Sequence, residues 1–342
     1  MEQQSSDLDK IRKGVEHLLR MNRHFVLFRH PNESEIFSFI ADDKGDKTYV
    51  FKPFHGDELR LKGFLLNAED WSSYPLPKES LELSSTTTQT ASVYMNQTDF
   101  ESYVDFIRKC ISRGEITKCV ASRLIKAEKP NDFNPFSTFV EMCSKYTKAY
   151  AYLAHSPMGM WMGATPELLL KTNGNRAYTM SLAGTKSNTD ISPWTDKEYE
   201  EQSIVTEYIK SKLASENIPI VQLSGISEVK AGHLKHLKTD IQFEASPKAL
   251  KALHPTPAVC GIPVATAQQI IKEKENNQRA LYTGYLGLEE DNASYYVNLR
   301  CMRIENEHID IFVGAGITKD SDPRAEWQET AAKAETMKNI LN

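Results

Sequence analysis

Cysteine is sparse in this 342-residue chain: five residues, Cys110, Cys119, Cys143, Cys260 and Cys301, odd in number and scattered. The absence of any CxxC or Cys/His pairing excludes a zinc ribbon and a disulfide framework, so all five are expected as reduced thiols inside a core. There is no basic block and no aromatic-basic stripe. The 41 Lys and Arg are mixed with 46 Asp and Glu to a net charge of −5, which argues against nucleic acid and anionic membranes as partners. No apolar run is long enough to span a bilayer, and the polar, acidic stretch 1–10 lacks the features of a signal peptide, so a cytoplasmic location is expected. Internal repeats are also missing.

What is present is enough apolar material, 40% of residues, to bury a large core as two ordinary domains or one large one. Apolar spacing predicts helices over 6–21, 195–216, 265–274 and 323–341, and a Thr98-x-x-Glu101 capping box opening another that stops at Gly114. Strand-like runs fall at 25–28, 35–40, 48–51, 118–125, 149–154, 160–164, 168–171, 177–183, 218–224, 234–243, 285–288, 295–302 and 309–313. Strands in consecutive runs with helices between groups predict an α+β fold with mainly antiparallel sheets and helices outside. The Ser/Thr-rich stretch 84–92 reads as a loop that separates a divergent N-terminal part, 1–92, from the region 93–342.

Chemistry concentrates at the end of the chain. The run 309–313 leads into Gly314-Ala315-Gly316, read as a turn, and then into a helix where Glu326, Glu329 and Lys333 share a face by their spacings of three and four. A solvated helix end would look similar. However, Glu198 and Glu201 repeat the carboxylate pair on the helix over 195–216. Four oxygen donors without a neighbouring His or Cys suit a hard cation such as Mg²⁺, and a di-iron bundle is disfavoured because neither helix carries a His three residues after a Glu. The string HPTPAVCGIP at 254–263 is stiffened by three prolines, and a buried arginine on the 295–302 strand, Arg300, calls for an anion.

Taken in order, HPTPAVCGIP, Arg279-x-x-Tyr282-x-Gly284-x-x-Gly287, Leu299-Arg300, Gly314-Ala315-Gly316-Ile317, Ser321-x-Pro323 and Glu326-x-x-Glu329-Thr330-x-x-Lys333 resemble the chorismate-utilising enzymes. That family includes the isochorismate, salicylate, anthranilate and aminodeoxychorismate synthases, and the resemblance runs from about residue 100 to the end. One departure is the stretch 288–294, where Asp291-Asn292 is expected to make a turn that the family usually builds with glycine.

The resemblance implies the family fold and a small-molecule substrate, chorismate. Lys118 stands where water-adding members carry lysine and amine-adding members carry glutamine. Ala183 replaces a nucleophilic lysine of the aminodeoxychorismate synthases, and Ala258 matches isochorismate synthases rather than members that go on to eliminate pyruvate. The implied activity is therefore a Mg²⁺-dependent isomerase reaction, chorismate to isochorismate, feeding menaquinone or siderophore synthesis. Salicylate synthase is the alternative, followed by an anthranilate synthase component and an inactive ligand-binding homologue.

Carried over, the roles are Lys118 as general base and Glu167 as general acid. Glu201 and Glu329, supported by Glu198 and Glu326, would hold the metal. Gly184, Thr185, His254, Ala258, Tyr282, Arg300, Gly314, Gly316 and Lys333 would bind substrate. Burial is expected to tune the acid and the base, because desolvation disfavours either charged form. A monomer without an amidotransferase subunit is expected.

Overall fold

Helices and strands follow the apolar spacing closely. In the computed structural model, which describes residues 2–80, 92–231, 234–276 and 279–341, the first group is α1 (Glu2–Arg20), β1 (Phe25–Arg29), β2 (Phe37–Ala41), β3 (Lys47–Lys52) and β4 (Leu59–Leu66). Next come α2 (Gln97–Ser112), β5 (Lys118–Glu128), α3 (Pro135–Lys145), β6 (Tyr150–Ser156), β7 (Gly159–Thr165), β8 (Leu168–Asn173), β9 (Arg176–Ser187) and α4 (Asp196–Ser215). The remainder is β10 (Ile220–Leu223), β11 (Ser227–Ala231), β12 (Leu234–Glu244), α5 (Ala249–Leu253), β13 (Gly261–Ile262), α6 (Val264–Lys274), β14 (Tyr285–Glu289), β15 (Ser294–Val297), β16 (Cys301–Ile304), β17 (His308–Ile317) and α7 (Pro323–Lys338).

The strands form one antiparallel ribbon in the order β13-β5-β17-β16-β7-β6-β1-β2-β4-β3-β14-β15-β8-β9-β12, with β10 and β11 both on β12. The strands β1 to β4 thus connect its two halves, which face each other across an aromatic core. Strand β6 shows why the period of two matters. Tyr150, Tyr152 and Ala154 point into that core with Phe28, Tyr49, Trp161 and Tyr296, whereas Ala151 and Leu153 point to the other face, under α3. Tyr150 and Tyr296, from opposite halves, stack with ring centroids 4.2 Å apart.

Helices cover the outer faces, giving the α+β arrangement that the sequence pattern predicts. α1, α3 and α7 bury Ile11, Val15, Phe139 and Met337 on one half, and α4 buries Val205, Ile209 and Leu213, four residues apart, on the other. α2 and α6 close the edge at β5 through Val104, Ile107 and Ile271. No helix among the described residues is long and apolar enough to cross a membrane, and all five cysteines are buried and free.

Four local expectations are corrected. α2 is capped by Asn96, whose side chain accepts from Asp99 N, so it begins ahead of the Thr98 box. The single strand expected at 295–302 is broken at 298–300, where the Asn298 main chain still bonds Thr283 and Gly284 and its side chain bonds Tyr152 and Leu281. Gly314-Ala315-Gly316 is no turn: it lies inside β17, paired with β5. The elements α3, α5, β4, β11 and β13 were not anticipated, although Asn134-Pro135 is a cap followed by proline at the start of α3. The loop expected at 84–92 lies almost wholly outside the described residues.

Candidate active site

The centre of the site is the seam between β5 and β17. Lys118 opens β5, is 1% exposed, and donates from Nζ to Glu201 Oε1 on α4 at 2.7 Å. The two glycines of β17 make room for this arrangement. A Cβ at Gly316 would lie 2.8 Å from Glu201 Oε1 and 3.1 Å from Lys118 Cε, and one at Gly314 would lie 2.8 Å from the Tyr282 hydroxyl. Glycine is needed here for close approach of side chains rather than for a turn. Gly316→Ala is therefore expected to push Lys118 and Glu201 apart and lower turnover at least tenfold while leaving the fold intact, which steady-state kinetics beside a circular-dichroism melt would check.

Beside this seam lies a cavity with about 110 Å³ of internal space. Of the residues singled out from sequence, Glu167, Gly184, Glu198, Glu201, Ala258, Tyr282, Arg300, Gly314, Gly316, Glu326, Glu329 and Lys333 line it. Lys118 sits directly behind Glu201 and Gly316. The side chain of Thr185 lies outside those described. His254 is not in the wall: its Nε2 donates to the Thr283 carbonyl at 2.9 Å and its ring meets Tyr285 edge-on. Thr283 does line the cavity, so His254 supports the wall from behind.

Sequence reasoning missed His236. It stands on β12 where the register with β9 slips between Lys235 and Leu237, a bulge that re-aims a side chain. Its Nδ1 donates to the Gly184 carbonyl at 2.9 Å, and burial, assisted by Arg300, pushes its pKa down to about 3, so the imidazole is neutral. Only the bulge brings it to the cavity, and a bulge has no signature in this strand's sequence.

The charges of the site are arranged unequally. Burial raises the Glu167 carboxyl to about 8 against the opposing pull of Arg300 and Lys118, so it is mostly protonated at neutral pH. Arg300, in the break between β15 and β16, has no carboxylate within ion-pair distance among the described residues, whereas Lys333 is held by Glu329 at 2.6 Å and the Gly314 carbonyl at 2.9 Å. Glu198 closes the capping box of α4, accepting from Thr195 N at 2.7 Å. Desolvation acts to raise its pKa, but the Thr195 hydrogen bonds outweigh it and the net shift is downward. Glu326 is buried.

The donor set fits a hard cation. Two helices, α4 and α7, each present a pair of carboxylates to one cavity, and oxygen donors of this kind suit Mg²⁺. Among the described residues no three of His, Cys, Asp and Glu already converge on one point. Glu201 and Glu329 are instead turned to Lys118 and Lys333.

A buried latch fixes the back wall. Arg279 binds Glu275 through Nε at 2.7 Å and one terminal nitrogen at 2.9 Å, and donates to the carbonyls of Val120 and Val259. Glu275 also accepts from Ser122 N and Oγ. Val120 and Val259 line the cavity, so this ion pair ties β5 to the loop after α5. Glu275→Gln leaves a buried guanidinium uncompensated and should cost about 3–5 kcal/mol in urea unfolding.

A family model described as chorismate binding enzyme matches residues 61–342. The chain is 28% identical to isochorismate synthase EntC of Escherichia coli K12 over 339 residues, covering 91% of this chain and 86% of that one. Two solved structures share the fold. One, described as a 2,3-dihydroxybenzoate-specific isochorismate synthase, DhbC from Bacillus anthracis, superposes with a TM-score of 0.77 at 20% identity, covering 94% of this chain and 96% of that one. MenF of Escherichia coli, a menaquinone-specific isochorismate synthase, gives 0.75 at 20% identity, with 94% and 89% covered.

Proposed function

The chain belongs to the chorismate-binding enzyme family, and from that premise we propose that it is an isochorismate synthase, an isomerase that adds water at C2 of chorismate and expels the C4 hydroxyl. The observation that carries this reading is Glu167: a buried carboxyl held protonated at neutral pH, in the same cavity wall as Arg300, which has no carboxylate within ion-pair distance among the described residues. An acid is in place for a leaving hydroxide, and a cation is in place for an anion.

Arg300 takes the enolpyruvyl carboxylate, with the Tyr282 hydroxyl as a neutral donor, because burial raises its pKa well beyond the physiological range. The ring lies against Gly184, Ala183 and Ala258. Lys118 removes a proton from the water that bonds to C2. The ring double bonds shift, and Glu167 gives its proton to the departing C4 oxygen, so one water enters and one leaves. Mg²⁺ held by Glu201 and Glu329, with Glu198 and Glu326 in support, would supply positive charge for the ring carboxylate. Lys333 holds Glu329 and the Gly314 carbonyl in register and reaches the substrate carboxylate from that side.

The same reading treats residues 1–92 as a divergent part of one catalytic fold, acting as a cytoplasmic monomer without an amidotransferase subunit. The relatives named for menaquinone and for 2,3-dihydroxybenzoate resemble it about equally, so its product suits either route. The test is to identify the product from chorismate with and without Mg²⁺. Isochorismate, lost on adding EDTA, is expected; equimolar pyruvate with salicylate, or an ammonium-dependent aminated ring, would overturn the assignment.

A further inference from the structure

Two grooves of opposite sign reach the cavity. The first shares Pro166 and Arg300 with it and is lined by Lys145, Lys148 and Lys230, with no acidic side chain among its described residues. It continues outward, through Lys148 and Lys230, into a wider groove that adds Lys171 and Lys238 and contains one carboxylate, Glu33. Lys238 is paired with Asp240 at 2.8 Å and Lys145 donates to the Asn339 carbonyl at 2.7 Å. Lys148, Lys171 and Lys230 have no ion-pair partner among the described residues. The second groove meets the cavity at Glu201 and carries Asp196, Glu200, Glu207 and Asp320 against a single Lys319.

A dianion approaching a chain of net charge −5 meets a cavity walled by four glutamates besides the protonated Glu167. Charges of one sign along a narrow cleft focus the field and raise the local concentration of an oppositely charged ligand. We propose that the anionic substrate enters by the Lys148–Lys230 passage, and that these two lysines are positioning residues that deliver it to Arg300. The inference rests on the reading of the substrate as a dicarboxylate, and it assigns to the lysines a role in capture, separate from the proton transfers.

The experiment is a series of chorismate titrations by calorimetry and steady-state assays with Mg²⁺, from ~20 mM to ~0.5 M salt, a span over which exposed charges become screened. The proteins are the unaltered chain, the double variant Lys148→Gln/Lys230→Gln, and Lys319→Gln as a control that removes one charge from the opposite groove. The double variant should bind chorismate about five- to tenfold more weakly at low salt, with a matching fall in kcat/KM and little change in kcat. The difference should vanish at high salt, and Lys319→Gln should behave like the unaltered chain. Equal salt slopes for all three proteins, or an equal loss in the control, would overturn the passage. Salt-dependent binding without turnover would uphold the passage and refute the proposed reaction, and no chorismate binding at all would overturn both.

Discussion

Lys118→Gln should lower turnover of chorismate by about 10²–10⁴, the range of a general base, while leaving the fold and chorismate binding in place. Glutamine is close to lysine in length and still offers an N–H to Glu201, so the contact now made at 2.7 Å need not collapse. What is lost is the amine that accepts a proton from water. Arg300 and Tyr282 remain to hold the substrate, and calorimetry with Mg²⁺ should give a dissociation constant within a fewfold of the unaltered chain. Near-normal turnover in this variant would refute the base assignment, and loss of binding together with turnover would make Lys118 an anchor rather than a base.

Glu167→Gln is the second large effect, again about 10²–10⁴ in kcat. Hydroxide is a poor leaving group, and the neutral amide keeps the shape and charge of the protonated acid without its transferable proton. The unaltered enzyme should show the same group in its pH profile. Burial raises the carboxyl to about 8, so the donor form is present below that pH and disappears above it. The value of kcat/KM should therefore fall tenfold per unit above pH 8, a limb that the glutamine variant should lack. A flat profile in the unaltered enzyme to pH 9.5 would remove Glu167 from the role of acid.

The fold was largely legible because its signals are periodic. The helix over 195–216 and the strand-like run at 149–154 appear as α4 and β6. The carboxylates of α4 and α7 were legible for the same reason, since a spacing of three on each helix puts Glu198 with Glu201 and Glu326 with Glu329.

Features that depend on contacts between distant strands were not legible. Gly314 and Gly316 read as a turn because glycine after an apolar run has that meaning locally. Their actual reason, the nearness of Tyr282, Glu201 and Lys118, exists only in three dimensions. Arg300 was visible as an arginine needing an anion, but the break in the strand beside it was not, and Asn298 there meets Tyr152, 146 positions away. His236 owes its place to a bulge, and the stiff string around His254 proved to brace the wall through Thr283 rather than to face the cavity.

Oxygen labelling shows whether water is the nucleophile. Chorismate should be turned over with Mg²⁺ in water enriched in ¹⁸O, and the product located and weighed by mass spectrometry and NMR. Isochorismate should carry one ¹⁸O on C2, with the enolpyruvyl group intact and no pyruvate released. Unlabelled isochorismate would mean that the hydroxyl migrates without solvent and would contradict Lys118 as the base for water, and salicylate with free pyruvate would contradict the assignment itself.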